Sequence, residues 1–174
     1  MSVGGAWHLT KRFFGSLRPG GPPRADVDWV SSTLSSAELG LWQRMSGPDR
    51  RHSARIGRRA AERLGDRASP PVLAAALLHD VGKIDAGLGT WGRVVATLSA
   101  MVAGADSAEH WIRSTGFTRR VGLYVHHPRL GGDMLEMAGS DPLTVAWARE
   151  HHRPEEEWTV EASIARVLHE VDDD

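Results

Sequence analysis

The sequence predicts an all-α protein: a compact, single-domain bundle of about seven to nine helices. Three observations carry that expectation. Apolar residues recur at helical intervals through most of the chain, residues that start and stop helices bracket those segments, and no stretch alternates apolar and polar residues as a half-buried strand would. A length of 174 residues with 41% hydrophobic and 25% charged content suits one domain with its own core.

Residues 1–27 read as an N-terminal arm, because "SLRPGGPPRAD" concentrates proline and glycine where no helix persists. Trp7, Phe13 and Phe14 give the arm apolar groups with which to dock. The helical domain then runs over 28–174. "WVSSTLSSAELGLWQRM" sets Trp29, Leu34, Leu41 and Met45 along one stripe. "GPDRRHSARIGRRAAERLG" follows, opened by Pro48 and Asp49, striped by Ile56, Ala60 and Leu64, and stopped by Gly65.

"SPPVLAAALLHDVGK" begins with Ser69 as N-cap and two prolines suited to a first turn. It is apolar on nearly every side, which places it at the centre of the fold. Thr90 caps "WGRVVATLSAMVAG", Asp106 or Ser107 caps "AEHWIRST", and "FTRRVGLYVHH" runs into Pro128. "PRLGGDMLEMAG" is a short helix ended by Gly139, and Asp141-Pro142 opens "PLTVAWAREHH", closed by Arg153-Pro154. The last helix, "WTVEASIARVLHEVDDD", carries Val160, Ile164, Val167, Leu168 and Val171 on one face, with "EEE" at 155–157 favoured by the dipole of its first turn.

Composition excludes several function classes. With no cysteine there is no disulfide, thiolate metal site or cysteine nucleophile, a usage that fits a reducing cytoplasm. The longest apolar stretch, 94–104, falls far short of the ~20 residues a membrane span needs, and no signal-peptide core is seen. Net charge is −1, but residues 1–60 hold ten Lys/Arg against four Asp/Glu, or +6, leaving −7 for the rest. Anionic ligands are thereby drawn to the basic half. With little aromatic interleaving and no recognition motif, nucleic acid is not indicated as a partner. Trp91, Trp111 and Trp147 read as core anchors.

Nine histidines fall at informative places. His52 lies in the first turn of its helix, His79 and Asp80 end theirs before Gly82, His127 precedes Pro128, and His151-His152 precede Arg153-Pro154. Helix ends let imidazoles and carboxylates converge without burying unpaired polar groups along a packed interface. Asp172 lies four residues after Leu168, hence on the inward side of the last helix, where a carboxylate needs a partner. His8, His110 and His169 match no such pattern, and His126 cannot share the direction of His127. Lys83, one turn beyond the His-Asp pair, is either a phosphate contact or an exposed lysine. Arg55 and Arg59 lie near the His52 face, able to meet an anionic substrate.

In order, "RHSARIG", "LLHDVGK", "HHPRLGGDML", "REHH" and "VLHEVDD" resemble the HD-domain metal-dependent phosphohydrolases, over roughly residues 48–174. The resemblance implies one metal site from His52, His79, Asp80 and Asp172, and a second from His127, His151 and His152 with Asp80 bridging. The chain continues "RPEEEW" where the branch cleaving cyclic dinucleotides has a Gly-Tyr-Pro signature, so phosphoester chemistry is implied without that substrate. The implied function is hydrolysis of a nucleotide or small phosphorylated molecule, with Asp80 and Lys83 in the chemistry and Lys83, Arg55 and Arg59 on the substrate.

Nitrogen and oxygen ligands suit one or two divalent ions, iron or manganese favoured, with zinc or cobalt as further candidates. Two readings stand beside this one. Some relatives of the fold use a di-iron centre to oxidise small substrates, and a nucleotide-binding regulatory module could keep the site without turnover.

Overall fold

A computed structural model describes residues 20–89 and 110–173, together with 92, 95, 96 and 99. The described residues form nine α-helices and two short 3-10 turns, with no strand among them. The helices are α1 (Arg24–Thr33), α2 (Ser36–Arg44), α3 (Gly47–Leu64), α4 (Pro70–Leu78), α5 (Lys83–Ala86), α6 (Gly116–Val125), α7 (His127–Met137), α8 (Pro142–Glu150) and α9 (Ala162–Asp173). Trp7, His8, Phe13, Phe14, Thr90, Trp91, Asp106 and Ser107 lie outside the described residues.

The apolar α4 is the wall between two cores. Ala74, Leu77 and Leu78 face one, with Val30, Trp42, Leu135 and Val145; Val72, Ala75 and Ala76 face the other, with Ile56, Trp147, Ile164, Leu168 and Val171. A helix used on both sides has no polar face to keep, which accounts for its composition. Leu77 and Leu78 are fully buried, and each contributes roughly 2 kcal/mol of transfer free energy. α4 packs on α3 and α8, α7 lies along α8, and α9 closes over α3. A smaller cluster of Ala86, Leu88, Val121 and Leu123 joins α5 to α6.

Three local readings need correction. The segment after Asp28 is two helices, not one. The hydroxyls of Ser31, Ser32 and Thr33 turn back onto the Val27 and Trp29 carbonyls, Leu34 becomes extended, and Ser35 opens α2 through a reciprocal bond with Glu38. α1 also begins at Arg24, inside the expected 1–27 arm, because Pro22-Pro23 lead directly into it.

Ser69 is the N-cap of α4 as expected, though its side chain makes no cap bond. Pro70 and Pro71 occupy the first two positions and have no N–H to satisfy. The final helix starts at Ala162, and "EEE" forms a separate 3-10 turn, Glu155–Glu157, after Pro154. By contrast Asp141 caps α8 through the Leu143 amide (2.8 Å), and Gly139 ends α7 at φ +72°.

Candidate metal centre

The site forms where α4 stops. After Leu78 the chain passes through a turn, with Val81 N–H donating to the Leu78 carbonyl and Lys83 N–H to that of Asp80, before α5 begins. Gly82 makes this turn possible. A Cβ there would run into the His127 carbonyl and the Gly131 amide, and one on Gly131 would meet the Gly82 nitrogen at 3.0 Å. The missing side chains let the N-terminus of α7 lie directly on the turn, bringing His127 to Asp80.

Three imidazoles are oriented by one device. Nδ1–H of His79 donates to the Ala76 carbonyl (3.0 Å), that of His127 to Tyr124 (2.7 Å) and that of His151 to Ala148 (3.0 Å). Each is the carbonyl three residues earlier. Because only an N–H can pair with a carbonyl, all three rings turn Nε2 to the centre, where it is a lone-pair nitrogen whenever the ring is neutral. Those three Nε2 atoms and Oδ1 of Asp80 are buried without a hydrogen-bond partner. His127 Nε2 stands 3.2 Å, and His151 Nε2 3.7 Å, from Oδ1, and neither contact is a hydrogen bond.

Oδ2 of Asp80 is differently engaged. Lys83 Nζ donates to it at 2.5 Å, and His79 Nε2 lies 3.5 Å away. Lys83 is therefore not an exposed lysine: its side chain is largely buried and its ammonium lies 5.8 Å from the centre of the Tyr124 ring. Burial alone would raise the Asp80 pKa, but Lys83 and then His79 outweigh it and hold the carboxyl well below the usual range. Burial likewise pulls Lys83 down and is outweighed by Asp80, so the amine stays charged above its ordinary pKa. His79 is desolvated too, yet Asp80 and Asp172 together raise it to about 9. His127, where burial prevails, falls to about 4.

Two groups of ligand atoms lie within 4.8 Å of one another: Asp80, His127, His151 and His152, and His52, His79 and Asp80. His151 and His152 both take part because α8 ends at Glu150 and the chain turns between them, their rings 4.0 Å apart. His152 is exposed on its outer edge. Its pKa is lowered by desolvation, then by His151 and His127. Asp172 falls outside both groups and flanks the second, with Oδ1 3.1 Å from His52 Nε2 and 3.7 Å from His79 Nε2.

Arg55 is exposed and donates to His52 Nδ1 at 3.1 Å, whereas Arg59 is half-buried one turn on. His126 lies just ahead of α7, outside both groups, and His110 is exposed. His169 is a surface group beside Trp158 and Asp173.

Sequence reasoning missed Glu150. Its buried carboxylate accepts from Thr159 N–H, Thr159 Oγ1 and Val160 N–H at 2.9–3.0 Å, tying the segment that follows His151-His152 back to α8. A glutamate directly before a histidine pair was the available signal. It reads as a solvated helix end until the returning chain is in place.

The donor set fits a divalent cation. Orphaned, buried imidazole nitrogens around a carboxylate kept ionised would each cost free energy unless a positive ion satisfied them. The buried His/Asp group can hold a metal ion, and no helix among the described residues is long and apolar enough to cross a membrane. Comparison of this chain with protein-family models, with curated proteins and with solved structures finds no match.

Proposed function

We propose that this protein is a metal-dependent phosphohydrolase of the HD type, acting in the cytoplasm on a phosphoester of a nucleotide or small phosphorylated molecule. The observation that supports this reading is the set of three buried Nε2 atoms, each fixed by its own Nδ1 bond, turned to the Asp80 carboxylate, those of His127 and His151 to Oδ1 and that of His79 to Oδ2. Four buried polar atoms without partners are an expensive arrangement for a purely structural core.

In this reading His127, His151, His152 and Asp80 would hold one ion, and His52, His79, Asp80 and Asp172 a second, iron or manganese before zinc or cobalt. When bound, such ions supply the Lewis acidity that lowers the pKa of an attacking water and neutralises the phosphoryl oxygen it strikes. Asp80 shares its two oxygens between the halves. Lys83, kept charged beside it, offers a fixed ammonium to a non-bridging phosphate oxygen. Arg55, at the exposed rim, and Arg59 supply further positive charge for the rest of an anionic substrate.

The test is metal content by mass spectrometry of protein purified without chelators, paired with hydrolysis of chromogenic phosphomonoester and phosphodiester probes. Wild type should carry one or two transition-metal ions per chain and release product, and the His79→Ala/Asp80→Ala variant should lose both. A wild type free of metal, or one that takes up oxygen while leaving every phosphoester intact, overturns the proposal.

A further inference from the structure

The two halves of the centre are not equally prepared. On one side Oδ1 of Asp80 is open, and His127 and His151 already aim lone pairs at it. On the other, Oδ2 is occupied by the Lys83 ammonium. The fourth imidazole, His52, is also held the opposite way round.

Arginine has only donors, so the Arg55 contact makes Nδ1 of His52 the lone-pair nitrogen. Nε2 then carries the hydrogen and donates it to Oδ1 of Asp172, 3.1 Å away. His79, His127 and His151 give their Nδ1 hydrogens to backbone carbonyls that cannot leave. At Nδ1 of His52 stands the exposed Arg55 side chain instead. For Nε2 of His52 to ligate, its hydrogen must be given up or moved to Nδ1, and a hydrogen at Nδ1 displaces Arg55.

We infer that the centre loads in order: the Asp80–His127–His151–His152 side takes the first ion, and Arg55, acting through Nδ1 of His52, holds back the second. This rests on the metal reading above and extends it from the presence of ions to their sequence. Arg55 is a positioning residue here, since it works through His52. Removing its donor frees His52 to present Nε2.

Mn2+ titration of metal-free protein, followed by the paramagnetic resonance signal of free Mn2+, tests the inference. Wild type should show a tight step and a weaker one. Arg55→Met should tighten only the weaker step, by about three- to tenfold, the worth of one exposed hydrogen bond. His52→Ala should remove the weaker step and spare the tight one.

Arg58→Met removes the same charge from the same helix, but that guanidinium is committed to Asp26, Ala25 and the Trp29 ring. It should leave both steps unchanged. Two equal steps, an Arg55→Met titration matching wild type, an equal gain in Arg58→Met, or loss of the tight step in His52→Ala overturns the order of loading alone. Absence of any Mn2+ binding overturns the phosphohydrolase reading as well.

Discussion

At the scale of single residues, the centre is governed by where protons sit. His79 has a folded-state pKa of about 9 against an ordinary 6.5, since Asp80 and Asp172 outweigh its burial. A raised pKa stabilises the fold fully below pH 6.5 and ceases to do so as pH climbs through about 9. Metal-free protein should thus lose urea resistance between those values, and His79→Gln should flatten that slope; an identical slope in the variant would refute the assignment.

His127 acts on the acid side. Its folded pKa of about 4 means the unfolded chain takes up the proton first, so acidification from 6.5 to 4 weakens the fold. His79, His127 and the His151-His152 pair were legible from their places at helix ends, whereas His52 lies in the second turn of α3 and not in the first, because Ser46 caps the helix and it already begins at Gly47. Lys83 was only half legible, because spacing put it beside Asp80 but could not tell a buried ion pair from a solvated amine. The carbonyls of Ala76, Tyr124 and Ala148 leave no residue-type signal at all, as every residue has one.

Among the elements, the turn from α4 into α5 depends on two glycines meeting back to back. Gly82→Ala would place a methyl group against the backbone of His127 and Gly131, where no rotamer change gives relief. The expected cost is about 2–3 kcal/mol by overpacking, together with weaker metal binding as His127 is pushed away from Asp80. Chemical denaturation and Mn2+ titration of the same variant check both parts; unaltered stability would show that α7 yields without loss.

The helices themselves were largely readable from their stripes and caps, with Asp141 and Gly139 marking their ends as expected. What escaped were breaks decided by competition between local bonds. Three hydroxyls turned back on α1 ended it early, and Glu150 held Thr159 and Val160 in a loop that periodicity alone would have made helical.

For the whole molecule, the centre is a joint between layers, so an ion held there would bind the folded state and not the open chain. At a free concentration about a hundredfold above Kd this adds about 2.7 kcal/mol, which in a chain of this size raises Tm by roughly 5–10 °C. Scanning calorimetry with Mn2+ and then with excess EDTA should show that rise and its reversal; equal Tm values would sink the coupling of metal to fold.

The all-α architecture was legible because every apolar stripe has helical period, and the central place of α4 followed from its lack of a polar face. Which helix ends meet was not, since that is settled by packing between segments far apart in the chain. His52 and Asp172, for instance, touch across 120 positions. Both halves of the centre draw on segments far apart in the chain, so a single backbone cut between Asp80 and His127 would divide the donors of one half and part His52 from Asp172 in the other.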